Sequence, residues 1–141
     1  MTQAERVSEI GILFPMEFEA EPTWKKLGGE RVEIAGFETI RGSWRGVPVV
    51  SARIGMGHEG LGRKVFRWLE SNPCRAVLLV GLAGALDPAW DEGDLTSFHA
   101  EDWQEFNQWC QGEALVRPGE WHTAREIIAT GEAKLELGRK T

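Results

Sequence analysis

Three carboxylates crowd a short stretch near the amino terminus. Glu17, Glu19 and Glu21 directly follow the apolar run Ile10–Phe14 and Pro15. Acids at the start of a helix are favoured by its macrodipole, by roughly 0.3–1 kcal/mol each, which alone would account for all three. Glu19 also admits a chemical role, because a carboxylate in the crevice outside a strand end is placed to take a proton from water or a sugar hydroxyl. A second candidate is Gly55-Met56-Gly57-His58-Glu59-Gly60, which fits G-x-G-x-x-G between a strand and a helix. Its glycines permit close backbone approach, and the helix amino terminus attracts an anion. A dinucleotide fold would also want an acid about 20 residues on, at the end of the next strand. Leu79-Val80-Gly81 stands there instead, so the expectation is a ribose or phosphate contact, or a plain strand-to-helix turn. The third candidate is Gly81-Leu82-Ala83-Gly84-Ala85, small residues that let a backbone bend and let a ligand approach it.

Other chemistries find less support. His58, His99 and His122 share no metal-ligand spacing with Cys74 or Cys110, so no metal site is expected. No G-x-S-x-G elbow is present. Trp103, Trp109 and Trp121 could stack on a base, but packing in a core or interface is the commoner use of such residues.

These candidates need elements to hold them. Ile10–Phe14 reads as a buried strand, and Met16–Glu21 leads into a short helix that tolerates Pro22 in its first turn and stops at Gly28-Gly29. Arg31–Ile40 and Gly46–Ile54 read as two strands joined by a turn over Gly42–Gly46. His58–Glu70 reads as a helix with Leu61, Val65, Trp68 and Leu69 on its apolar face. Ala76–Val80 is then expected to be a strand buried on both faces, the piece around which the chain is built, followed by a turn at Asp87-Pro88 and a strand over Leu95–Phe98. Further on, Ala100–Gln111 fits a helix, Glu120–Thr130 one strand or two, and Gly131–Arg139 the start of a helix. Strand, helix, strand pair, helix, strand is the order of a mixed α/β sheet.

Composition narrows the classes. The 141 residues are about one domain's worth, and 42% hydrophobic content supports a core. A net charge of −6 argues against duplex DNA or an anionic membrane as partner. The longest apolar stretch, Ala76–Leu86, is 11 residues and broken by glycines, too short for a bilayer that needs about 20. No secretory signal is visible, and two cysteines make no disulfide framework, so a cytoplasmic location is expected.

Taken together, IGILFPMEFEAE, VPVVSARIGMGHEG and AVLLVGLAGALDPAWDEGDL resemble the purine nucleoside phosphorylase and nucleosidase superfamily. The likeness is greatest to the 5′-methylthioadenosine/S-adenosylhomocysteine nucleosidase branch and covers about residues 9–98. The tail EIIATGEAKLELGRKT resembles the segment before that family's Glu-Met-Glu motif. The resemblance implies an α/β fold with a mixed, partly closed β-sheet flanked by helices. It implies one nucleoside phosphorylase-like domain over residues 1–141, lacking the family's carboxyl-terminal part. It assigns Glu19, the second glutamate of Met-Glu-x-Glu, as the residue that activates water. Met16 and Gly55-Met56-Gly57 match ribose-facing positions, and Gly81-Leu82-Ala83-Gly84 the turn beside the base. Leu82 stands where the family carries a hydroxyl residue, and Leu79 where the bacterial phosphorylases carry a phosphate-binding arginine. The family's base-protonating aspartate and ribose-binding glutamate fall beyond Thr141.

The expected activity is therefore cleavage of the N-glycosidic bond of a purine nucleoside or thionucleoside, with no cofactor. The partner is a small nucleoside, with phosphate if the chemistry is phosphorolysis. A homo-oligomer, most simply a dimer, is expected because an incomplete sheet leaves an edge and apolar helix faces to cover. The rival reading is a nucleoside-binding or subunit-interaction domain without catalysis.

Overall fold

The apolar run Ile10–Phe14 forms strand β1, the middle of three parallel strands in a five-stranded sheet. The computed structural model describes residues 2, 8–57, 59–97, 116–118 and 131–140. They divide into two compact units, Met1–Leu82 and Ala83–Thr141.

In the first unit β1 leads into helix α1 (Glu17–Leu27), then β2 (Arg31–Ile34), β3 (Phe37–Trp44) and β4 (Val47–Arg53), helix α2 (Leu61–Ser71) and β5 (Ala76–Leu79). β2, β3 and β4 form an antiparallel meander, while β1 lies parallel to β4 on one side and to β5 on the other. Strand side chains alternate between faces, and each face receives one helix. Phe14, Ile40 and Val49 pack with Ala20, Trp24 and Leu27 of α1. Leu13, Phe37, Val50 and Ala52 pack with Trp68, Val65 and Leu69 of α2.

Each helix is also pinned by an indole. Trp24 Nε1–H donates to Ser51 Oγ at 2.8 Å, and Ser51 donates in turn to Ile12 O at 2.8 Å. On the other face Trp68 Nε1–H donates to Thr39 Oγ1 at 2.9 Å, and Thr39 donates to Phe37 O at 3.0 Å. The hydroxyls let two bulky, wholly enclosed side chains be buried without an unmatched donor.

Several expectations need correction. β5 is an edge strand among the described residues, with Val77 and Leu79 exposed, so it is β1 that the first unit is built around. An apolar run shows that a strand can be covered on both faces, not that it is. The single strand expected over Arg31–Ile40 is two, broken at Ala35-Gly36, and the next turn is confined to Arg45-Gly46. Both pairs have φ above zero, the two-residue hairpin geometry that Asn-Gly normally announces. Pro22 lies mid-helix rather than in the first turn. It leaves the Phe18 carbonyl without an intrahelical donor, which is tolerable because Phe18 and Pro22 face solvent. Helix α2 begins at Leu61, after Gly60 in the left-handed region.

In the second unit β6 (Leu95–Ser97) pairs in parallel with β7 (Val116–Pro118), and helix α3 spans Gly131–Lys140. The turn expected at Asp87-Pro88 forms, with Ala89 N–H donating to Asp87 Oδ1 at 2.9 Å. α3 crosses close to Leu86, where a side chain at Gly138 would meet the Leu86 carbonyl at 3.0 Å. The helix expected over 100–111, the strands over 120–130, the three histidines, Cys110, Trp103, Trp109 and Trp121 lie outside the described residues. No described helix is long and apolar enough to cross a membrane.

Candidate active site

Because β1, β4 and β5 are parallel, their carboxyl ends at Phe14, Arg53 and Leu79 fall on the same edge of the sheet. The chain leaves β1 for α1 on one face and leaves β4 for α2 on the other. Such a divergence beyond the middle strand is the position where open α/β sheets place ligands. The three segments singled out in the sequence are the three connections leaving these strands. Ile54 N–H donates to Phe14 O and Val80 N–H to Leu13 O, both at 2.9 Å, so the ladder extends one residue into two of them.

Glu19 is the side chain that joins two of the connections. Sited on the third residue of α1, it reaches back so that Oε2 accepts the Met16 N–H at 2.9 Å. This is the glutamate half of a capping box, closing a first-turn donor with no intrahelical partner. Its other oxygen, Oε1, accepts the Leu82 N–H at 2.9 Å from the turn after β5. Gly81 makes room for this. A side chain there would stand 3.2 Å from both Glu19 Oε1 and Pro15 Cδ. The carboxylate is thus fixed by two backbone donors at the end of β1, each of its oxygens keeping capacity for a further hydrogen bond.

Glu17 and Glu21, equivalent to Glu19 by eye in the sequence, are spent elsewhere. Glu17 pairs with Arg53 at 3.0 Å, and Glu21 takes Arg31 through both oxygens at 3.0 and 2.9 Å. Glu38 links the two arginines, at 2.9 Å from Arg53 and 3.3 Å from Arg31. This chain of ions across β2, β3 and β4 was not legible in the sequence, because its members lie far apart in the chain.

The structure brings Met16, Glu19, Gly81 and Leu82 into direct contact. Gly55-Met56-Gly57 stands at the neighbouring end of β4, exposed, with Gly55 and Gly57 at φ of 77° and 119°, conformations suited to glycine. Met56 and Leu82 present large exposed apolar side chains. Ala83 and Gly84, also exposed, begin the second unit.

A second polar cluster lies at the opposite end of the sheet. Glu9, wholly buried, pairs with Arg41 Nε at 3.3 Å, and Arg41 also donates to Asn72 Oδ1. Asn72 in turn donates to the Trp68 carbonyl at 2.9 Å. Burial first, then the Glu9 charge, pushes the nearby Cys74 thiol up, with Arg41 pulling the other way. A thiol held protonated is no nucleophile, and this end of the sheet is structural. Among the described residues no group of three His, Cys, Asp or Glu side chains could hold a metal ion.

Residues 9–99 match the phosphorylase superfamily, and the chain belongs to that family. No curated protein is similar enough in sequence to match it. Among solved structures it is similar to a futalosine hydrolase mutant of Helicobacter pylori, at 16% identity and a TM-score of 0.72, over 93% of this chain and 74% of that one. It is also similar to a putative 5′-methylthioadenosine/S-adenosylhomocysteine nucleosidase from Francisella philomiragia, at 19% identity and a TM-score of 0.75, over 94% and 71% of the two chains. The nucleosidase of that name from Campylobacter jejuni gives 18% identity and a TM-score of 0.73, again over 94% and 71%. At these identities the likeness establishes the fold: a mixed α/β sheet with helices on its faces, as in the nucleosidases.

Proposed function

We propose that this chain binds a purine nucleoside or thionucleoside beyond the ends of β1, β4 and β5 and cleaves its N-glycosidic bond with water. The observation that carries the reading is the placement of Glu19, held over the end of β1 by the amides of Met16 and Leu82. In this mechanism a water seated against Glu19 attacks the anomeric carbon as the carbon–nitrogen bond breaks. The proton of the water passes to Glu19, and the bonding electrons leave with the purine. Met16 and Gly55-Met56-Gly57 line the ribose, and Gly81-Leu82 the base. Family membership and the nucleosidase structures that share the fold support this assignment.

The test is release of free base from methylthioadenosine, adenosylhomocysteine, inosine and futalosine, with and without inorganic phosphate. Phosphate-independent release is expected. Release that requires phosphate would make the chain a phosphorylase. Tight binding of every nucleoside without release would favour a non-catalytic binding domain.

The same reading takes the protein to be a cytoplasmic homodimer. The exposed Leu79, Val80 and Leu82 at and beyond the β5 edge support assembly, since soluble proteins usually cover such surfaces. Light scattering at micromolar concentration should return twice the chain mass, and a monomer would contradict it.

A further inference from the structure

Glu17 and Glu19 are two residues apart in the first turn of α1, so they leave the helix about 200° apart around its axis. Each is tied to a different strand end. Glu19 reaches the turn after β5, while Glu17 reaches Arg53, the last residue of β4. Arg53 uses separate nitrogens for its two partners, Nη1 for Glu17 at 3.0 Å and Nη2 for Glu38 at 2.9 Å. Glu38 is its cross-strand partner in β3, and it is held in turn by Arg31, which grips Glu21. Glu17 and Glu21, one turn apart, therefore hold one flank of α1 to the meander, and Glu19 departs from the other flank.

We infer that Arg53 is the positioning residue for Glu19. This rests on the glycosidase reading above and adds the group that sets the acid's geometry. With side chains a helix is about 10–12 Å across, so rolling α1 by about 10° moves the Glu19 carboxylate by about 1 Å. A misplacement of that size can cost about 100-fold in rate. The two amides that fix Glu19 lie in connections rather than in the sheet, whereas Arg53 is anchored in β4, beside Phe14 in the ladder. It also offsets the charge of Glu17, so that the field acting on the attacking water comes from Glu19. Arginine suits the task better than lysine, because one planar fork serves two carboxylates at once. Arg53 and its two partners all keep contact with solvent, and ion pairs that water can screen contribute little to stability, so the fold survives without Arg53.

The experiment compares the full chain with Arg53→Met, Arg53→Lys, Glu17→Gln and the Met/Gln double variant, by amide exchange and by base release. In Arg53→Met the Leu82 amide should exchange at least about fivefold faster, while Val50 and Ala52 in the sheet are unchanged. The kcat should fall about tenfold with KM within about twofold, and Arg53→Lys should recover part of the loss. Glu17→Gln should reproduce much of the effect, and the double variant should fall well short of the product of the two singles. Unchanged Leu82 exchange in Arg53→Met overturns the inference, as does an equal loss of kcat in Arg53→Met and Arg53→Lys without any change at Leu82. Should the wild-type chain release no base from any nucleoside, that counts against the glycosidase reading, and the Leu82 exchange still decides the role of Arg53.

Discussion

Side chains that look alike in sequence are separated by what they touch. Glu17, Glu19 and Glu21 share a helix start, yet two are neutralised by arginines while the third holds the amides of Met16 and Leu82. The motif position of Glu19 was readable from the sequence; its contact 63 residues away was not. Gly81 follows from the same contact. Gly81→Ala would put a methyl 3.2 Å from Glu19 Oε1, tighter than the groups tolerate without shifting. Its stability loss should stay below about 1 kcal/mol, while the Leu82 amide should lose exchange protection; full retention of that protection would show the turn to be slack. The buried Glu9–Arg41 pair predicts an asymmetry. Arg41→Met strands a fully enclosed carboxylate and should cost about 3–5 kcal/mol. Glu9→Gln leaves a guanidinium that is 28% exposed and still able to reach water, so about 1–2 kcal/mol is expected. Urea melts of both variants check the ranking, and equal losses would contradict it.

At the level of elements, period and propensity showed that a β1, an α1, an α2 and a β5 exist. They did not show which strand is central, because an apolar run of four or five residues carries no information about neighbours. The missed hairpin has a clear cause. Its turn is Ala35-Gly36, with Ala35 at φ 51°, where the usual signal would be Asn-Gly. Ala35→Asn should therefore stabilise the first unit by about 0.5–1 kcal/mol, since asparagine tolerates the left-handed region better. A lower denaturation midpoint would show that this turn is not strained. The tryptophans, uninformative as a count, become specific once Trp24 and Trp68 are seen to pin one helix to each face. Trp68→Phe removes the indole donor, leaves Thr39 Oγ1 without it in a closed core, and shortens a fully buried side chain. A loss of about 2–4 kcal/mol is expected in a urea melt, and less than about 1 kcal/mol would mean that α2 is held by other contacts.

For the whole molecule, the three sequence segments that suggested the family each hold one of three adjacent parallel strands and the start of the connection leaving it. That shared edge explains why segments so far apart in the chain read as one site. The fold class was legible because the order of elements admits few topologies. The ion chain from Glu17 to Glu21 was not, because it depends on the register of β2, β3 and β4. Membership of the phosphorylase superfamily gives the site its chemical context, and Glu19 is the residue on which the proposed hydrolysis turns. The most direct measurement is base release by the wild-type chain and Glu19→Gln on the same nucleosides, with Glu17→Gln and Glu21→Gln beside them. The account predicts that Glu19→Gln lowers kcat by about 10²–10⁴ while binding of an unreactive nucleoside analogue changes little. Glu17→Gln and Glu21→Gln, which loosen one flank of α1 but leave the carboxylate of Glu19 in place, should each lose no more than about tenfold. Undiminished release by Glu19→Gln would contradict the account.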